Sequence, residues 1–428
     1  MTDPAPPTLP DPAGLVLAPF RALRYAVVGP DLAAVTSPPY DVIDEEQRVR
    51  LEAADPHNVV RLILPRDDAG PDSRYAHAAR TLTDWRRDGK LRLDARRALY
   101  VYEESVDGHV QRGLVGALAL TPAAAGVVLP HENTMAGPVA DRLALTEATG
   151  ANLEPIFLVY DGGGPAAEVV RAVGDREPTV SATTDDGVTH LIWALTDPGE
   201  LTAVAADLLP RRAVIADGHH RYATYLQHQR DRHAGGAGTG PWDFGLTFLV
   251  DATTFGPQVH AIHRTVAGLP VAEAARRAAA AFAVRRLDAD LGHALDTLQR
   301  AGRSGPAFLL ADRTSRFLLT APDPAAVDRA VPVGRSPAWR GLDVTLVHRL
   351  LIPEVWGVPD TEDVIGFAHD VAAALAVADR SAGTAVLLNP TPVAAVGAVA
   401  AAGERMPRKS TLFTPKPRTG LVLRPFDA

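Results

Sequence analysis

The sequence predicts an α/β (α+β) fold, and three observations carry that expectation. Short apolar runs of strand length alternate along the chain with charged, amphipathic segments of helix length. Glycine, proline and small polar residues punctuate the junctions between them. No repeat of about 20 to 50 residues recurs, which sets aside solenoids and propellers. With 428 residues, 46% of them hydrophobic, the chain has enough apolar material for two or three cores.

The elements follow in order. Residues 1–14 read as a disordered leader, proline-rich and lacking the basic start and apolar run of a secretory signal. An N-terminal α/β region is expected over 15–122. In it "SPPYDVID" (Ser37–Asp44) reads as a rigid turn that aims Tyr40 and Asp41 and ends on a capping Asp44. "VVRLILP" (Val59–Pro65) reads as a buried strand. Arg61 inside it would require a carboxylate or an anionic ligand. Tyr75–Leu91 has the pattern of a helix, and Ala98–Val106 with Arg112–Leu120 that of a hairpin turning at "DGH".

A core is expected over 123–268. It opens with a strand, a polar loop "HENT" (His131–Thr134), a helix from about Val139 and a strand ending at Tyr160. "AVIA" (Ala213–Ala216) then reads as a strand running into Asp217-Gly218-His219-His220-Arg221, with a helix starting at His219 or His220. Phe244–Thr254 gives one more strand. A C-terminal α/β region is expected over 269–428: an alanine-rich helix (Val271–Val284), a hairpin in "FLLADRTSRFLL", then strand, turn, helix and a basic, proline-punctuated strand pair.

Composition narrows the function. A net charge of −8 from 43 basic and 51 acidic residues argues against direct nucleic-acid or anionic-lipid binding, while leaving room for a small anionic ligand. The absence of cysteine excludes disulfides, thiolate metal sites and a nucleophilic thiol. No run approaches the ~18 apolar residues of a membrane span, so a cytoplasmic location and a small-molecule substrate are expected. Oligomeric state leaves no mark on the sequence.

The candidate chemistry gathers at Asp217–Arg221. A tight turn into a helix presents free N–H groups and the positive end of the helix dipole, and Arg221 adds a bidentate phosphate donor. Asp217 suits Mg²⁺ or a substrate hydroxyl; a capped helix start with exposed histidines is the plain alternative. Zinc on His219 and His220 is disfavoured, because adjacent helical residues point about 100° apart. Glu132 beside His131 suits a general base or a helix cap. Arg142 joins the phosphate candidates, although Asp141-Arg142 also suits a solvated face. Arg405, Arg408, Lys409, Ser410, Thr411 and Lys416 suit phosphate or an ordinary basic edge strand. No G-x-S-x-G, D-F-G, G-x-G-x-x-G or complete Walker motif is present. Chemistry built from Asp, Glu, His, Arg and Lys at helix starts suits phosphoryl transfer.

In order along the chain, "PPYDVI", "NVVRLILP", "HENTMAGPVADRL", "IADGHHRYATYL", "LLNPTP" and "GERMPRKSTLFTPK" resemble domain-of-unknown-function family 1015 of bacteria and archaea. The Asp-Gly-His-His-Arg string is also similar to the phosphate-binding motif of ParB/sulfiredoxin-like proteins, including archaeal free-serine kinases. That resemblance implies a ParB/sulfiredoxin-like centre with α/β additions on either side. It implies phosphate binding by Gly218, His219, His220 and Arg221, Mg²⁺ at Asp217, and Glu132 as base, with Asp217 and His220 beside it in the catalytic set. Lys409, Ser410 and Lys416 would neutralise the donor. The implied activity is phosphotransfer from ATP, ADP or pyrophosphate to a small hydroxyl compound, free L-serine foremost. A phosphoserine-type phosphatase and a non-catalytic nucleotide-binding regulator are the rivals. Where sulfiredoxins carry a catalytic cysteine this chain has Gly218, which excludes their chemistry.

Overall fold

A computed structural model describes residues 14–67, 73–361 and 363–428. The expected leader, Gly14 apart, lies outside the described residues. The protein is α/β, in two compact units: residues up to Pro257 together with Pro415–Ala428, and Gln258–Thr414.

The first unit is organised by a nine-stranded mixed sheet. Its strands are β1 (Leu17–Ala18), β2 (Leu99–Val106), β3 (His109–Ala119), β4 (Val128–Leu129), β5 (Ile156–Tyr160), β6 (Val180–Thr183), β7 (Thr189–Leu195), β8 (Ala213–Asp217) and β9 (Phe244–Asp251). The order is β4-β8-β5-β9-β3-β2-β7-β6, with β1 on β3. β8 runs parallel to β4 and β9 parallel to β5; the other pairs are antiparallel. The expected boundary near residue 122 therefore falls between two strands of one sheet.

β5, "IFLVY", is buried along its whole length, as a strand covered on both faces requires. Leu158 packs with Val170, Val204 and Leu208 of two helices, while Phe157 stacks on Phe248 at 5.5 Å. Three helices matter for the site: α1 (Arg74–Arg87), α2 (Ala136–Thr149) and α3 (His219–Ala234). α3 buries Arg221, Tyr222, Tyr225 and His228 along one stripe. Tyr222 and Tyr225 place their hydroxyls on the carbonyls of Thr121 (2.6 Å) and Glu154 (3.0 Å).

Three expectations are corrected. The helix expected over Val271–Val284 stops at Ala278, and Ala283–Arg286 is a strand. Val60–Ile63 is a short helix, not a strand, because the Asn58 side chain accepts the Val60 N–H at 2.9 Å and starts a turn. Arg61 consequently turns one guanidinium nitrogen to the Glu52 carbonyl (2.7 Å). The two C-terminal strands do not pair with each other: Leu412–Thr414 joins Gln258–His260, and Arg424–Pro425 joins Ala151–Asn152. The hairpin, and the strands at β5, β8 and β9, form as expected, and α2 begins three residues before Val139.

The second unit holds a six-stranded antiparallel sheet with Ala307–Ala311, Thr384–Leu388 and His263–Val266 inside it. Helices Leu291–Gly302 and Val371–Arg380 bury Ala294, Leu298, Ala374 and Ala378 against it.

Asp44 caps the helix Glu45–Ala54 with a reciprocal box, its side chain on the Gln47 N–H and Gln47 on its own. Asp44→Ala is expected to cost about 1 kcal/mol, read as a lower denaturant midpoint.

Candidate functional site

β8 ends in an irregularity: its register on β5 shifts between Ile215 and Asp217. Gly218 follows with φ +90°, a left-handed conformation that glycine adopts without strain. The strand stops there and α3 begins at His219. A Cβ on Gly218 would lie 3.1 Å from Arg221 Nε, so the glycine leaves open the space over that guanidinium.

Arg221 is 3% exposed. Its guanidinium donates to Asp217 Oδ2 at 2.5 Å and to the Pro155 carbonyl. Its buried Nε has no hydrogen-bond partner among the described residues. A buried donor left this way beside a helix start is a feature of an anion site. Burial works against the Arg221 charge, but Asp217, Glu154 and Asp41 outweigh it and raise its pKa.

Lys416 spans two carboxylates, Asp217 Oδ1 at 2.7 Å and Asp41 Oδ2 at 3.1 Å. Burial disfavours its ammonium; the two acids prevail and raise its pKa. Asp41 is held low against burial by Arg221 and Lys416. Tyr40 lies under Arg142, whose guanidinium carbon is 4.3 Å from the ring centre, and burial pushes its hydroxyl up to about 12.

The two histidines fasten the "HENT" loop to α3. His219 Nε2 accepts the His131 N–H at 3.2 Å and His220 Nε2 accepts the Met135 N–H at 3.1 Å. His219 Nδ1 is then the protonated nitrogen, 3.9 Å from Glu132 Oε2. Glu132, with a side chain 36% exposed, thus stands at the mouth of the Gly218 turn. His131 is fully buried, its ring edge-on to His219 at 4.6 Å.

Residues 17–345 match the model of a family described as protein of unknown function, DUF1015. The chain belongs to that family. No curated protein matches it. Among solved structures, a free serine kinase mutant in complex with ADP aligns at 14% identity and TM-score 0.32, over 67% of this chain and 84% of its own. A conserved hypothetical protein from Pyrococcus furiosus aligns at 15% and 0.31, over 67% and 87%. SbnI with a C-terminal truncation from Staphylococcus aureus gives 10% and 0.32, over 72% and 87%. Likeness this slight carries no conclusion about activity.

In this DUF1015 member the fold brings together Tyr40, Asp41, His131, Glu132, Asp217–Arg221 and Lys416. Arg142 is no solvated surface residue: it is 6% exposed, and it donates to Asp141 and to the Ile63 carbonyl. Lys409 and Ser410 belong to the second unit, where Arg264 holds the Lys409 carbonyl at 2.9 Å and Ser410 donates to the Pro407 carbonyl. Asp217 does not fit a resident Mg²⁺, since both its oxygens already serve cations. Among the described residues no three His, Asp or Glu converge as a metal site.

Sequence reasoning missed Glu154. It is 4% exposed, accepts the Tyr40 N–H at 3.0 Å and the Thr419 hydroxyl at 3.3 Å, and lies 3.8 Å from Arg142. Burial raises its pKa, and Arg221 and Arg142 offset that only in part. The signal was a glutamate placed directly before "PIFLVY", a wholly apolar strand.

Two outcomes are expected. Gly218→Ala strains a left-handed residue by about 1–2 kcal/mol and crowds Arg221 Nε, so pyrophosphate affinity measured by calorimetry falls. His220 has its pKa lowered from 6.5 by burial, so its neutral form is the folded one. Stability is therefore lost as pH falls below about 6.5, and the melting temperature of His220→Gln falls less than that of the wild type between pH 7.5 and 5.5.

Proposed function

We propose that this protein is a phosphotransferase acting on a small hydroxyl compound, with free L-serine as acceptor and ATP, ADP or pyrophosphate as donor. The observation that carries the reading is the cradle at Gly218: a left-handed glycine, the N-terminus of a 16-residue helix and a buried Arg221 Nε–H without a partner. Serine as the acceptor rests on the motif resemblance.

The transferred phosphoryl group sits on the α3 N-terminus and Arg221. Glu132 takes the proton of the acceptor hydroxyl as its oxygen forms the new bond to phosphorus and the bond to the leaving phosphate breaks. His219, donating toward Glu132, keeps that carboxylate oriented. Lys416 has three N–H donors, two of them committed to Asp41 and Asp217, and the third serves the donor's remaining charge. Mg²⁺ accompanies the donor as part of that substrate, and no step relies on a protein-bound metal.

Incubation with L-serine, Mg²⁺ and each donor in turn, followed by mass spectrometry, is expected to yield O-phosphoserine. Glu132→Gln is expected to lower kcat about 10²- to 10⁴-fold and leave donor affinity near the wild-type value. Phosphate release from phosphoserine without nucleotide would favour a phosphatase, and tight nucleotide binding without product a regulatory protein. Either result, or a Glu132→Gln variant as active as the parent, sinks the kinase reading.

A further inference from the structure

A row of buried polar side chains crosses the first unit's sheet, and the phosphotransfer reading does not use it. Gln111 on β3 pairs across the ladder with Glu104 on β2, and Glu104 with His190 on β7, so the three stand side by side on one face. They are 0%, 1% and 3% exposed. Tyr102, two residues before Glu104, shares that face.

This row holds both ends of the short segment that carries Lys416. Gln111 Nε2 donates to Glu104 Oε2 at 2.7 Å and to the Pro415 carbonyl at 3.1 Å. The Tyr102 hydroxyl accepts the Arg418 N–H at 3.2 Å and lies close enough to the Glu104 carboxyl to favour its ionised form. The Arg418 guanidinium reaches on to Thr36 Oγ1 at 3.1 Å. Pro415 and Arg418 are the anchors, and Lys416 is suspended between them.

We infer that Glu104, acting through Gln111 and Tyr102, is a positioning residue that sets Lys416 between Asp41 and Asp217. The effect on Lys416 stands by itself; its effect on turnover rests on the phosphotransferase reading.

Proton bookkeeping supports the role. Thr184 gives its hydroxyl proton to Asp186 and meets His190 Nε2 at 3.2 Å, so that nitrogen carries the imidazole proton. Burial and Arg418 hold His190 down to about 3, which keeps it neutral. His190 Nδ1, 2.9 Å from the Tyr102 oxygen, then accepts the phenol proton. That oxygen keeps a lone pair for the Arg418 N–H. Burial pushes Glu104 up to about 8, so its carboxyl is protonated at neutral pH. When Glu104 ionises, Tyr102 turns its proton to the new carboxylate and releases His190. The groups facing Glu104 are Tyr102, Gln111, His190 at 3.9 Å, Arg418 and Asp186.

The protein has three lysines, Lys90, Lys409 and Lys416, so protein labelled with ¹³Cε-lysine gives three resolvable Cε signals, with Lys416→Arg used only to assign them. In the wild type the Lys416 signal is expected to step near pH 8, and in Glu104→Gln, which keeps the shape without the ionisation, to lose that step. Gln111→Leu is expected to move the Lys416 signal toward that of an exposed lysine and to weaken pyrophosphate binding about tenfold, the scale on which partners of a site's own ligands act. Linkage gives an independent reading. A folded pKa near 8 against an ordinary 4.5 means stability lost as pH rises through that window, and Glu104→Gln removes the slope. A Lys416 signal that titrates alike in wild type and Glu104→Gln, or that stays in place in Gln111→Leu, overturns the inference. Failure of the phosphotransferase reading looks different: no product from the wild type, with Lys416 still following Glu104.

Discussion

Asp217 ends β8 with one carboxylate oxygen on the Arg221 guanidinium and the other on the Lys416 ammonium. This three-centre ion pair joins a strand end, a helix start and a distant segment of chain at one carboxylate. Burying such charges costs several kcal/mol per ion, and removing one partner strands the others at about 3–5 kcal/mol. The surrounding elements are arranged to prevent that. Tyr225 and Tyr222 fix α3 against the loops below it, Glu154 and Asp41 share in balancing Arg221, and the Gly218 turn brings Arg221 back over its own helix start.

Seen this way, the two histidines have a mechanical task. Each uses a ring nitrogen to accept a backbone N–H from the 131–135 loop, and at His131 this satisfies a donor that would otherwise be buried without a partner. In the proposed phosphotransferase the positively charged groups deal with phosphate, and the histidines hold the loop that presents Glu132. The division suits a site in which position and charge compensation do most of the catalysis.

Much of this was legible in the sequence, because it is local. The run "AVIADGHHR" encodes a strand, a left-handed glycine and a helix within nine residues, and "IFLVY" forms the buried strand its apolar run suggests. The short helix at Val60–Ile63 was misread because its apolar composition suits either state; a single Asn58 side chain decides it. Lys416 was recognised as a charge, but its partners lie 375 residues away at Asp41 and in the turn at Asp217, and no periodicity reports such a contact. Glu154 and the Glu104–Gln111–His190 row were overlooked for a related reason. Polar residues in or beside strands look like exposed positions until the sheet's pairing shows what covers them.

The first unit is interrupted in sequence: its chain leaves at Pro257 and returns at Pro415. During synthesis, every residue of the sheet and of α3 is made before Lys416. The intervening second unit, once folded, shortens the effective loop that Lys416 must close and so reduces the entropy lost on its return. Lys416 is thus the last of the site's charged groups along the chain, and it joins Asp217 from beyond a separate compact unit.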